Sequence, residues 1–521
     1  MRWWAFVPMA IGIPNSKFFT IQKNFEICYF QRNSSLTLSV LPILLVTMSV
    51  FKEKIGLYTD FYELAMAEGY FYCGKKYQQA SFNYFFRTNP FNGGFTVFAG
   101  LHDFLDLLTE FTYSESDLQY LKEQGFKPEF LDFLKNFRFE GNILSVAEGE
   151  IVFPNEPVIR VDGNIIECQL IESLLLNILN FESLIATKAF RIKLVTGKQV
   201  FAEFGLRRAQ GFGAIHASRA ACIGGATSTS NVLAGKLFGI PVSGTQAHSW
   251  IQSFDSELEA FRCYSQVHPE NTILLVDSYD TLKSGVPNAI IVAREMEEKG
   301  HRLKAIRLDS GDLAYLSKKA RKQLDAAGLN YVKIIASNQL NEYVIKTLLK
   351  DQDAAIDAFG IGTELVTGKD DAALDGVYKL VEIEGLPKMK FSENIEKNTL
   401  PSKKQLYRFL DNHGKFYRDA IALETENPAE IDTIFHPVYP ELNTKVKGLT
   451  FENLLSKVVK EGEILVEKQS PMEIYKFLEK RSELLPDEHK RFISPHIYKS
   501  GITQKLMETR NTLSKQIKNQ L

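Results

Sequence analysis

The chain has 521 residues, 45% hydrophobic and 24% charged, with Lys+Arg 61 against Asp+Glu 63 and a formal net charge of −2. That suits a globular chain of roughly two to four domains, or one large barrel with additions, and offers no basic surplus to suggest nucleic acid. Five cysteines without a C-x-x-C pair, and nine scattered histidines without H-x-x-H, exclude a dense disulfide framework and a signalled zinc site, and favour a reducing compartment.

Residues 1–47 read differently from the rest. Trp3 and Trp4 are two of only three tryptophans, and Leu36–Val46 is apolar but short and interrupted by Pro42. A membrane span needs about 18 apolar residues, so none is expected. The order of a signal peptide is not clear either. The stretch is expected to be an extension upstream of a true start at Met48, with a targeting segment and a weak anchor as alternatives. Residues 48–199 are expected to form a mixed α/β domain with a lead-in helix. It opens with an aromatic helix over Tyr58–Tyr70 and a second helix near Leu101–Leu108. A strand-like stretch over Ile143–Val161 and a long apolar helix over Leu170–Ile192 come next.

From residue 200 to 376 the chain repeats a strand–loop–helix rhythm. Strands are predicted at Val200–Phe204, Thr272–Val276, Ala305–Leu308, Val332–Ala336 and Ala355–Phe359. Helices are predicted at Ala214–Ala221, Ser256–Arg262, Pro287–Lys299, Asp312–Ala327 and Glu342–Leu349. Such units imply parallel strands with right-handed crossovers, in an open doubly wound sheet or a barrel. Residues 377–521 hold strands at Val377–Ile383 and Gln405–Leu410, then charged helices, and are expected to pack with the N-terminal domain.

The residues just after each strand carry the chemistry. Arg207 and Arg208 come first, then Thr245 and His248, Asp277 and Asp280, Asp309 and Asp312, Ser337 and Asn338, and Gly360-Ile-Gly-Thr363. In parallel α/β folds those ends converge on one face, where active sites are built. Helix capping accounts for one Asp, Ser or Asn per loop, but not for an arginine pair, a histidine and paired aspartates. Gly360, Gly362 and Thr363 suit a phosphate, because glycines let N–H groups approach an anion. Arg307 and Arg207 are bidentate anion ligands by chemistry. His248 is read as a structural histidine, a general base or a nucleophile toward a phosphoryl group, and spacing does not choose among them.

At these residues the sequence resembles the nicotinate phosphoribosyltransferase family. Tyr58-Thr-Asp-Phe-Tyr-Glu-Leu-Ala-Met, Glu203-Phe-Gly-Leu-Arg-Arg, Gly244-Thr-Gln-Ala-His-Ser, Asp277-Ser-Tyr-Asp, Arg307-Leu-Asp-Ser-Gly-Asp and Phe359-Gly-Ile-Gly-Thr occur in the family's order. The resemblance implies an incomplete parallel α/β barrel of the type II phosphoribosyltransferase kind, beside a mixed α/β domain built from both chain ends. It implies a cytoplasmic homodimer. Its substrates would be nicotinate and 5-phosphoribosyl 1-diphosphate, with ATP as co-substrate and Mg²⁺ or Mn²⁺ required, and no nucleic acid or membrane partner. Tyr62, Thr245 and Arg307 would bind nicotinate. Arg207, Ser337, Asn338, Gly360, Gly362 and Thr363 would bind the phosphoribosyl donor. His248 matches the family's phosphorylated histidine, Asp309 would be catalytic, and Asp277 and Asp280 are candidates for the metal. The alternatives are a nicotinamide- or quinolinate-using relative, a barrel lyase, or a non-catalytic relative. Loss of His248, Arg307 or the G-x-G-T run would have favoured the last, and all are present.

Overall fold

A computed structural model describes residues 54–392 and 398–520; the extension expected at 1–47 lies outside the described residues. Three large sheets organise the described chain.

The first sheet draws on both ends of the chain. Its central strand, Gln79–Phe86, runs antiparallel to Ile159–Asn164 on one side and to Gly376–Ile383 on the other. Asn142–Ser145 pairs next, and Ser456–Lys460 from the C-terminal region beyond it. Alternation places Phe82, Tyr84 and Phe86 on one face, packed in one core with Phe104, Leu108 and Leu174. This central strand is absent from the predicted elements. The stretch read as Ile143–Val161 is three strands, Asn142–Ser145, Ile151–Val152 and Ile159–Asn164. It breaks where Gly149 and Asn155 take positive φ, 88° and 66°.

The helix Glu172–Thr196 buries side chains on nearly every side, including Leu174, Leu179, Ile185 and Ile192. It lies against Gly213–Ile223, the first helix of the barrel region. The approach is close: a Cβ on Gly224 would lie 2.4 Å from the Ala186 carbonyl oxygen, so no larger residue fits without movement.

The second sheet is the barrel. Its six strands run in the order Ser228–Thr229, Val200–Glu203, Ala358–Ile361, Lys333–Ser337, Ala305–Leu308, Ile273–Leu275, and every neighbouring pair is parallel. The first strand in sequence thus sits between the second and the last, as in a closed barrel. Closure fails at one place: Ser228–Thr229 and Ile273–Leu275 do not pair. The chain between them makes one bridge, Thr229 to Val242, and then supplies the loop carrying Thr245 and His248. On the outer face Leu274, Val276, Ile306, Leu308 and Ile334 pack against helices through residues such as Val292 and Leu324. The last strand starts three residues later than its apolar pattern suggests. Asp357 stands just before it and accepts the Ile334 N–H at 2.9 Å.

The third sheet is C-terminal, with Phe416–Leu423 paired to Lys404–Leu410 and to Ser500–Thr503. Arg408 joins it to the N-terminal region. Its guanidinium is fully buried and donates to Glu150 at 2.7 Å, to Asp419 at 2.6 Å and to the Ile151 carbonyl at 2.8 Å. Removing one member of such a network strands the remaining charges in a dry interior. Arg408→Ala is expected to cost about 3–5 kcal/mol, seen as a lower urea midpoint. An unchanged midpoint would contradict this.

Candidate active site

The site is built on the inner face of the barrel sheet. Side chains two apart on a strand share a face, so Val200, Ala202 and Phe204 form one inward column and Ala305, Arg307 and Asp309 another. Arg307 is the centre. Its Nε donates to Ser337 Oγ at 2.8 Å, its Nη1 to Thr245 Oγ1 at 2.8 Å and its Nη2 to Asp309 Oδ1 at 2.8 Å. Ser337 in turn donates to the same Asp309 oxygen. The Phe204 ring lies 5.7 Å from the guanidinium carbon. A guanidinium has five N–H donors, and three are spent here. One N–H remains on each terminal nitrogen, and the side chain is 16% exposed.

Asp277 holds the neighbouring loops together. Its Oδ2 accepts the Asp309 N–H at 2.8 Å and the Ser310 hydroxyl at 2.6 Å. Its Oδ1 faces His248 Nε2 at 3.3 Å. His248 opens the short helix His248–Gln252 with its imidazole 41% exposed, so one ring nitrogen is held and the other is open.

These contacts give Asp277 and Asp280, the candidates for the metal, separate partners in the structure. Asp280 caps the turn Thr281–Gly285, accepting the Lys283 and Leu282 N–H groups, and these hold its pKa below the usual carboxylate range. Asp312 is likewise the cap of Leu313–Ala326. Ser337, expected at the phosphoribosyl donor, accepts from Arg307 and donates to Asp309, so it braces the arginine. Gly360 has a packing role: a Cβ there would lie 2.5 Å from the Phe204 ring. Gly362 and Thr363 come after the strand end, with Thr363 exposed. Asn338 and Gln339 stand beside them at φ 89° and 41°. Two consecutive side chains in that region mark a loop held in a costly conformation, which is common at binding sites.

Arg207 and Arg208 are exposed, and their side chains make no hydrogen bond or ion pair among the described residues. Tyr62 lies apart from the Arg307 cluster. It is 46% exposed on the helix Phe61–Tyr72, and burial together with the charges of Glu172 and Glu63 raises its hydroxyl pKa. Burial likewise pushes Glu63 up to about 7, against the lowering effect of hydrogen bonds from Ser173 and Thr59.

Glu203 and Phe204 escaped the sequence reading. Glu203 is fully buried with no ion pair among the described residues. It accepts the Gly205 N–H, the Ser218 hydroxyl at 2.8 Å and the Thr229 hydroxyl at 2.6 Å. It thereby fixes the loop that carries the free arginines. An acid ending a strand was the available signal; period-two counting from Val200 would have turned Phe204 inward. Among the described residues one group of three possible metal ligands exists, Asp103, Glu182 and His216. Arg219 already fills it, 3.2 Å from Asp103 and 2.8 Å from Glu182.

Family models for nicotinate phosphoribosyltransferase match the N-terminal domain at residues 57–180, the family core at 200–421 and the C-terminal domain at 403–510. The chain belongs to the nicotinate phosphoribosyltransferase family. The nicotinate phosphoribosyltransferase of Bacillus subtilis is 43% identical over 461 residues, covering 87% of this chain and 94% of that protein. That of Caenorhabditis elegans is 37% identical, covering 88% and 93%. The crystal structure of human nicotinic acid phosphoribosyltransferase superposes with a TM-score of 0.79 at 30% identity, over 87% of this chain and 99% of that one.

The Glu203 network predicts its own disruption. Glu203→Gln turns an acceptor oxygen into an NH₂ group facing donors, which is expected to cost about 1–3 kcal/mol. Limited proteolysis should then cut within residues 204–212 faster than in the parent chain. Equal cutting rates and equal urea midpoints would show that the loop is held by something else.

Proposed function

We propose that this chain transfers the 5-phosphoribosyl group of 5-phosphoribosyl 1-diphosphate to nicotinate, giving nicotinate mononucleotide and diphosphate, for NAD synthesis. The observation that carries the reading is the Arg307 guanidinium, braced by three neighbours and left with one N–H on each terminal nitrogen. Such a fork suits a carboxylate, which accepts two parallel hydrogen bonds; a carboxamide offers one oxygen. Nicotinate so held presents its ring nitrogen to the sugar. The nitrogen–C1 bond forms, the C1–oxygen bond breaks, and diphosphate leaves with the electron pair. Charge then grows on the leaving group, and Arg207 and Arg208, after the first barrel strand, are cations without an ion pair among the described residues.

The remaining roles are proposals of the same kind. Mg²⁺ is bound mainly by substrate phosphates with one or two carboxylates, and would add positive charge at the leaving group. Asp309 suits that duty, since its Oδ2 makes no hydrogen bond among the described residues. ATP is the donor of a phosphoryl group to the open ring nitrogen of His248; a nitrogen–phosphorus bond forms, the terminal anhydride bond of ATP breaks and ADP leaves. Asp277 steadies the imidazole. A homodimer is favoured by the helix Phe61–Tyr72, whose Phe61, Tyr62 and Met66 lie exposed together beside Tyr58. That face, offered to the barrel of a second copy, would bring Tyr62 to a nicotinate. The four described cysteines are all free, and no described helix is long and apolar enough to cross a membrane; both support work in the cytoplasm.

Two outcomes test the reading. Removing one partner of a desolvated charge pair costs about 2–5 kcal/mol, or roughly 30-fold to several-thousand-fold in kcat/KM. Arg307→Ala is expected to lose that much toward nicotinate and far less toward nicotinamide, and Arg307→Lys to recover only part. Equal losses for both substrates in a folded variant would move carboxylate binding elsewhere. Labelled ATP is expected to leave an acid-labile, base-stable phosphate on the chain, and His248→Ala to lose both the label and the stimulation by ATP. Stimulation that survives in the alanine variant would remove His248 from that role.

A further inference from the structure

The barrel has two ends, and the site above uses one. At the other end, where the strands begin, the inner face lines an open depression of about 520 Å³. Its wall is Val200, Ile273, Ala305, Ile335 and Ala358. Lys198, Lys304 and Lys333 stand at its rim with one acid, Asp357. Complete α/β barrels fill their interior with layers of bulky side chains. Here the inward positions include Ala202, Ala305, Ala358 and Gly360, and none of the five wall residues belongs to a packed core cluster of the described chain. The base of the barrel is therefore lined by small or partly exposed side chains, where a complete barrel carries packed layers.

Its lining has a definite chemistry. The wall is apolar, and the size falls in the range of small-molecule sites, roughly 300–1,000 Å³. At the rim Lys333 pairs with Asp357 at 3.1 Å. Lys304 donates to the neutral Asn271 at 2.6 Å, and Lys198 makes no hydrogen bond or ion pair among the described residues. Two positive charges are thus left without a carboxylate. An apolar depression under a cationic rim fits a flat, apolar body that carries an anionic group at one end.

The depression also shares a wall with the Arg307 site. In a parallel sheet, register partners point to the same face. Ile335 is the register partner of Arg307 on the adjoining strand, and stands two residues before Ser337, which braces that arginine. Ala305, on the other side of the same strand pair, stands two residues before Arg307. We propose that the base of the barrel is a second ligand site, for a small aromatic anion, and that its occupant adjusts the Arg307 site through Ile335 and Ala305.

Phenyl phosphate and benzoate serve as probes, because they share an aromatic body and differ in the anionic group. Binding of each to the full chain is followed by titration calorimetry in saturating nicotinate and diphosphate, which hold the upper site. No turnover is involved, so the result stands apart from the reaction proposed above. At least one probe is expected to bind at one site per chain; which one binds identifies the anionic group. Lys198→Ala combined with Lys304→Ala should weaken it about tenfold or more. Ala358→Leu, which fills the depression, should abolish it. Both variants should keep basal turnover, and the bound probe should shift the apparent KM for nicotinate in the parent chain without competing with it. If neither probe binds, or if binding survives the paired lysine changes undiminished, the proposal is overturned. The lysine pair lies at the rim, so it decides the matter even if Ala358→Leu does not fold.

Discussion

A guanidinium that is four-fifths covered must be held by acceptors, and the way Arg307 is held organises everything around it. Thr245 reaches it from the loop in the barrel gap, Ser337 from the end of the adjoining strand, and Asp309 from just beyond its own strand. Three separate segments must stand in register for those bonds to form at once. The parallel pairing of Ala305–Leu308 with Lys333–Ser337 supplies two of them, and the failure of the barrel to close supplies the third. A closing strand between Ser228–Thr229 and Ile273–Leu275 would stand where the loop bearing Thr245 and His248 now lies.

The same logic runs outward from the site. Asp277 ties the Asp309 loop to His248, so the carboxylate that positions the proposed phosphoryl acceptor also positions the loop beside Arg307. A phosphoryl group on the open nitrogen of that imidazole would leave Nε2 facing Asp277, whose other oxygen holds the Asp309 N–H and the Ser310 hydroxyl. These contacts would carry the proposed ATP chemistry toward the substrate pocket. Glu203 plays a parallel part for the arginine loop, with hydroxyl and N–H donors in place of cations. It leaves Arg207 and Arg208 unpaired for anions from solution.

The barrel was legible because its signals are local. The strand Ala305–Leu308 falls where the sequence places it, and most other barrel elements fall within two residues of their predicted positions. Thr245 and Asp309 stand out by their places after strands and Arg307 by its anion-binding chemistry, and the structure joins them by hydrogen bonds. The misses are non-local. Gln79–Phe86 pairs with a strand almost 300 residues later, and nothing in its own eight residues announces that partner. Ser337 looks from the sequence like a free donor; only the sheet register turns it onto Arg307. Asp280 shows how an N-cap and a metal ligand share one spelling: its cap bonds to the Leu282 and Lys283 N–H groups appear only in the structure. Tyr62 carries a motif residue's identity without a contact to Arg307, because the face it belongs to is offered outward.

The central claim is that this pocket selects an aromatic monocarboxylate by charge. The most direct measurement is nucleotide formation by the purified chain with 5-phosphoribosyl 1-diphosphate, offering nicotinate, nicotinamide and quinolinate in separate reactions, each with and without ATP. Nicotinate is expected to be converted with a kcat/KM far above that of nicotinamide, with ATP raising the rate and quinolinate scarcely used. Conversion of nicotinamide as fast as nicotinate, or of quinolinate in preference to both, would contradict the account.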